Sequence, residues 1–86
     1  MPEISCFFGI IITMYYNDHG LPHFHARYGE HRAKILVETG ASVEGGLPRR
    51  ALALVEEWRL LHFRNLLAVW QQVVDRQPHD KIEPLE

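Results

Sequence analysis

The spacing of apolar positions changes once along this chain, near residue 47. Before that point apolar residues run continuously or alternate with polar ones; after it they recur with a helical period. The first run, from Ile4 to Tyr16, is rich in β-branched and aromatic residues, which favour strand. Its near-continuous apolarity predicts a strand buried on both faces, or one long strand bent at Gly9. Asn17-Asp18-His19-Gly20 closes it with turn chemistry. Leu21-Pro22 then leads into His23-Phe24-His25-Ala26-Arg27-Tyr28, which alternates strictly. Gly29-Glu30 has the length of a two-residue hairpin loop, with glycine first as a type II′ turn prefers. His31 to Glu38 is the return strand. Thr39-Gly40 marks another turn, and residues 41–46 have room for a short fourth strand.

The hairpin loop sets a register. Tyr28 falls opposite His31, Arg27 opposite Arg32, Ala26 opposite Ala33, His25 opposite Lys34 and Phe24 opposite Ile35. Directly opposed residues share a face. One face then carries Phe24, Ala26, Ala33 and Ile35, which is a core face. The other carries His25, Arg27, Arg32 and Lys34, with His23 beside Leu36. A slip of one residue would mix the two sets, so the pattern itself argues for this pairing.

From Arg49 to Gln77 there is neither glycine nor proline. Leu54, Val55, Trp58, Leu61 and His62 form one stripe; Phe63, Leu66, Leu67, Trp70, Val73 and Val74 form another. Pro48 stands where a first-turn proline belongs. A straight helix of this length would run roughly 43 Å, against a diameter of about 30 Å for so small a domain. The phase slip between the stripes places a break between Leu61 and Leu66. The expected fold is α+β in a single domain. Residues 1–46 form an antiparallel three- or four-stranded sheet. Residues 47–77 form a helical hairpin, or one long kinked helix, on its apolar face. Residues 78–86 form a tail that Ile82 and Leu85 pin to the body.

Composition narrows the function classes. The 86 residues are 47% hydrophobic and 23% charged, the balance of a globular chain rather than a disordered one. Nine Lys and Arg against eleven Asp and Glu give a net charge of −2, which disfavours a general nucleic-acid coat protein. The single cysteine, Cys6, excludes an internal disulfide framework and any multi-cysteine zinc site. The first apolar run is too short to span a bilayer and lacks the basic flank of a signal peptide. A soluble, cytoplasmic chain is therefore expected.

Histidine is where chemistry concentrates: His19, His23, His25 and His31 all fall between residues 19 and 31. Two of them, His23 and His25, share with Arg27, Arg32 and Lys34 a face on which like charges oppose one another, each such pair destabilising a sheet by about 0.2–1 kcal/mol. Such a face calls for a compensating anion. That anion could be a carboxylate of the chain itself (Asp18, Glu38, Glu44, Glu56 or Glu57), the acidic surface of a partner, or a phosphate. A metal is the competing reading. His23 and His25 share a strand face and His19 or Asp18 could complete three ligands, as in a catalytic zinc site. Arg27 and Lys34 would repel a dication, however, so neither metal nor cofactor is expected. Metal-free phosphoryl transfer is a third option. His23 and His25 would then act as base and acid, with Lys34 or Arg27 stabilising charge on phosphate. Cys6, inside an apolar strand, reads as a core residue. Trp58 and Trp70 read as core, and His62 as a buried histidine at a helix end.

Several of these segments together resemble a known family. Pro2 to Tyr16, then Asp18-His19-Gly20-Leu21-Pro22-His23-Phe24-His25 and Tyr28-Gly29, are similar to the small bacterial proteins catalogued as domain of unknown function 4160. Leu47-Pro48-Arg49-Arg50-Ala51-Leu52, Trp58 with His62, Leu66-Leu67 with Trp70, and Lys81-Ile82-Glu83-Pro84-Leu85 extend the likeness over essentially the whole chain. Two departures stand out: Phe63-Arg64-Asn65 replaces an acidic residue that usually follows His62, and Leu21 replaces a second proline. The resemblance implies a stand-alone protein encoded beside a second small protein, in a toxin–antitoxin-like pair. No catalytic residue is established for the family. The functional expectation is an interaction module that binds an acidic partner or phosphate through His19, His23, His25, Arg27, Arg32 and Lys34. A small ribonuclease using His23 and His25 is the alternative. RNA and a homodimer remain open as partners, and a membrane is not expected.

Overall fold

A computed structural model describes residues 3–15 and 20–86 of the chain. Five strands form one antiparallel sheet in sequential order: β1 (Glu3–Phe7), β2 (Ile10–Thr13), β3 (His23–Tyr28), β4 (His31–Leu36) and β5 (Ser42–Gly45). Two helices follow, α1 (Arg49–Leu61) and α2 (Phe63–Val74). The class is the α+β expected from sequence, with five strands where three or four were expected.

The extra strand comes from the first apolar run. It is a hairpin rather than one strand, turning at Phe8 (φ 49°) and Gly9 (φ 80°). Two successive positive φ values make a type I′ turn, whose twist matches that of the strands it joins. The second hairpin follows the expected register at every pair from His23↔Leu36 to Tyr28↔His31. Gly29 has φ 58° while Glu30 does not share its positive φ, as a type II′ turn requires. The short strand after Thr39-Gly40 is β5, which pairs with β4 through a bulge.

The core lies between one sheet face and the helices. Phe24, Ala26, Ala33 and Ile35 are buried as expected, with Ile10, Ile12 and Val55. Trp58 is fully buried, with ring centroids 5.3 Å from Phe7 and 5.7 Å from Phe24. Its indole Nε1–H donates to the Glu83 carbonyl at 2.9 Å, and the Ile82 N–H donates to the Ile4 carbonyl at 2.9 Å. The tail is therefore pinned to the body, with Ile82 and Leu85 buried, and it covers the outer edge of β1.

The helical segment breaks at one residue, His62 (φ −118°, ψ 26°), within the expected interval. His62 N–H still donates to the Trp58 carbonyl, and its own carbonyl still accepts from Leu66. α1 therefore ends and α2 begins at this single residue, giving two C-terminal helices joined without a loop. A straight helix from residue 49 to 74 would measure about 39 Å, longer than the 33 Å greatest extent of the molecule. His62 is half-buried with its ring 5.8 Å from Trp58, less enclosed than expected. Pro48 is the N-cap residue, one position before the first turn. Among the described residues no helix is long and apolar enough to cross a membrane.

Candidate functional site

The face of the sheet turned away from α1 is built by alternation. Antiparallel pairing lines up Cys6, Ile11, Arg27 and Arg32 in one row across the strands, and Thr13, His25, Lys34 and Glu44 in the next. These rows enclose a shallow groove of about 430 Å³, bordered by Ile11, Tyr15, His25, Arg27, Arg32 and Glu44. Tyr15 adds an aromatic wall, its ring 4.8 Å from His25 in an edge-to-face arrangement. Cys6 is exposed on this face, not buried in the core as the apolar run had implied. Alternation puts it opposite Phe7, and Phe7 takes the core position.

The cations on this face are not equivalent. Lys34 pairs with Glu44 at 3.4 Å, so one of the chain's own carboxylates answers that charge. Arg27 and Arg32 stand directly opposite each other, both exposed. Among the described residues neither guanidinium makes a hydrogen bond or an ion pair. Glu56 is not available to them. It pairs instead with Arg59, a residue only 5% exposed whose guanidinium donates to the carbonyls of Val37 at 2.7 Å and Glu38 at 3.4 Å. The hydrogen bond from Arg59, then its positive charge, hold the Glu56 carboxyl below the ordinary carboxylate value. The same bond raises Arg59.

The histidines separate. His25 is half-buried at the groove. His23 shares its side of β3 but is only 2% exposed, with its ring 4.9 Å from Trp70 and 5.4 Å from His25. Its expected place on an accessible binding face is therefore corrected: the Trp70 indole of α2 stands against its ring and the side chain is buried. The ring is oriented by an Nδ1–H bond to the Leu21 carbonyl at 2.8 Å, which leaves the lone pair of the neutral ring on Nε2. His31 is exposed beyond the groove, beside the Gly29-Glu30 turn. His19 and Asp18 lie outside the described residues. Among the described residues no three His, Cys, Asp or Glu gather closely enough to hold a metal ion.

A family model described as Domain of unknown function (DUF4160) matches residues 9–71. The chain belongs to that family. No curated protein and no solved structure matches it. The matched span of this DUF4160 member contains β2 to β5, α1 and most of α2. It thus includes every groove residue named above and the His23–Trp70 contact. Tyr15 and Arg59 were not singled out as candidates from sequence. Tyr15 sits in an apolar run where it reads as core, and Arg59 sits among helix residues where an arginine reads as solvated.

Proposed function

We propose that this DUF4160 chain is an interaction module of a two-gene bacterial system, docking an acidic partner protein through the open face of its sheet. One observation carries the reading: Arg27 and Arg32 are opposed, exposed and unanswered by any described carboxylate. Two adjacent guanidiniums repel each other across a strand pair, and a carboxylate or phosphate relieves this with charge-assisted hydrogen bonds. Phosphate shares that chemistry. Binding is favoured over ribonuclease action because cleavage by two imidazoles needs both on the accessible face, and His23 is enclosed by Trp70.

The test pairs the chain with the protein encoded by its neighbouring gene. Affinity should fall as salt rises, since exposed charge pairs are screened. Arg27→Ala and Arg32→Ala should each weaken it by about tenfold or more without loss of fold. Absence of binding at low salt, or binding indifferent to both substitutions, would refute the docking role.

A further inference from the structure

Arg27 and Arg32 are directly opposed on neighbouring strands, which sets their Cβ atoms about 4.5–5.5 Å apart. Both side chains leave the sheet on the groove face, and both are exposed. Two guanidiniums so placed converge on one point above the sheet. Among the described residues their two positive charges are unanswered, whereas Lys34 is already paired with Glu44. Ile11, the cross-strand neighbour of Arg27, supplies an apolar floor beside them.

The charge at this point selects among anions. One carboxylate brings a single charge and two oxygens, enough for one bidentate guanidinium, and leaves the second arginine facing a like charge. Two carboxylates on the same face of an extended segment stand about 7 Å apart, wider than the arginine pair. A phosphomonoester carries about −1.5 to −2 at pH 7 and three acceptor oxygens on one atom, so a single group answers both guanidiniums. A phosphodiester carries one charge, and a run of them meets the Glu44 carboxylate, 72% exposed on this face. Sites for free small molecules enclose most of the ligand; this groove is shallow, which favours an anion attached to a body that covers the sheet. Resting on the docking role above, we infer that Arg27 and Arg32 together grip one phosphorylated side chain of a protein partner, its carbon stem lying on Ile11.

Fluorescence anisotropy with the full chain tests this on labelled peptides of one length and background. The central residue is phosphoserine, phosphotyrosine, glutamate or serine, and a fifth peptide carries two glutamates spaced by one residue. At least one phosphopeptide should bind about tenfold more tightly than either glutamate peptide. Arg27→Ala and Arg32→Ala should each abolish that preference without lowering Tm, because both side chains are exposed and repel each other. Arg27→Lys should lose most of it too, since an ammonium cannot form the forked contact. Equal affinities for phosphorylated and glutamate peptides would overturn the inference, as would a preference that survives both alanine variants. Inorganic phosphate competing as well as the phosphopeptide would make free phosphate the ligand and overturn it as well. Tighter binding of oligothymidylate would assign the pair to nucleic acid. The neighbouring gene's product, treated with phosphatase and titrated in parallel, separates the two readings. If it binds through the arginines while no phosphopeptide does, docking stands and the phosphate inference falls. If neither it, the untreated protein nor any peptide binds, both fall.

Discussion

The imidazole of His23 packs against the indole of Trp70, with ring centroids 4.9 Å apart, while His25 two residues later borders the open groove. Neighbours in sequence and equal in side-chain parity, the two histidines belong to different environments. His23→Ala should therefore lower stability by about 2–3 kcal/mol, from lost packing and an orphaned carbonyl at Leu21. His25→Ala should cost less than about 1 kcal/mol. Denaturant unfolding of the two variants checks this, and equal losses would contradict the assignment.

Arg59 ties α1 to the end of β4 through the Val37 and Glu38 carbonyls. Arg59→Ala should cost about 2–4 kcal/mol, because buried acceptors lose their donor. Arg59→Lys should recover only part of this, since an ammonium cannot reproduce the forked geometry. Urea midpoints measured at fixed slope report both.

The same pair gives a pH dependence. The folded Glu56 carboxyl lies below its ordinary value, so the folded state binds that proton more weakly than the unfolded chain. Its contribution is complete above the ordinary carboxylate value and is lost as pH falls through the folded one. Glu56→Gln should flatten the acid limb of the stability curve by a small amount, because the carboxylate is partly solvated. An unchanged acid limb would show that the pair contributes nothing.

Gly40 should not tolerate a side chain. It has φ 77°, and a Cβ there would lie 2.5 Å from Glu56 Oε2 and 2.7 Å from Arg59 Nε. Gly40→Ala should destabilise by about 1–3 kcal/mol. Combined with Arg59→Ala it should cost less than the sum of the two, since both damage one contact. Thermal melts of the double-mutant cycle would reveal an additive result if the two sites are independent.

Arg27 and Arg32 should trade stability against binding. Arg32→Thr removes a like-charge pair and adds a strand-favouring residue, so the fold should gain up to about 0.5–1 kcal/mol. Partner affinity should fall over the same substitution. A loss of stability would mean that the pair is not strained in the free chain.

Alternation and one glycine were enough to read the second hairpin from sequence. The separation of Phe24, Ala26, Ala33 and Ile35 from Arg27, Arg32 and Lys34 admits only one register around Gly29. The first hairpin was hidden because its turn is Phe8-Gly9. Phenylalanine carries no turn signal, and the unbroken apolar run masks the reversal. The break at His62 was legible from the phase slip between two helical stripes. The burial of His23 was not, because parity tells which way a side chain points along a strand but not which helix later covers it. Arg59 was missed for a related reason: its partners are main-chain carbonyls, which leave no trace in side-chain pattern.

The hydrogen bond from Ile82 to Ile4 joins the first strand to the last segment of the described chain. During synthesis β1 emerges before the other strands, yet its outer edge stays uncovered until some eighty further residues exist. Contacts between such distant positions form slowly, and an uncovered strand edge invites pairing with other chains. The fold therefore closes like a clasp whose two halves leave the ribosome far apart in time. Its yield in a cell should depend on how long a nascent chain waits with that edge open.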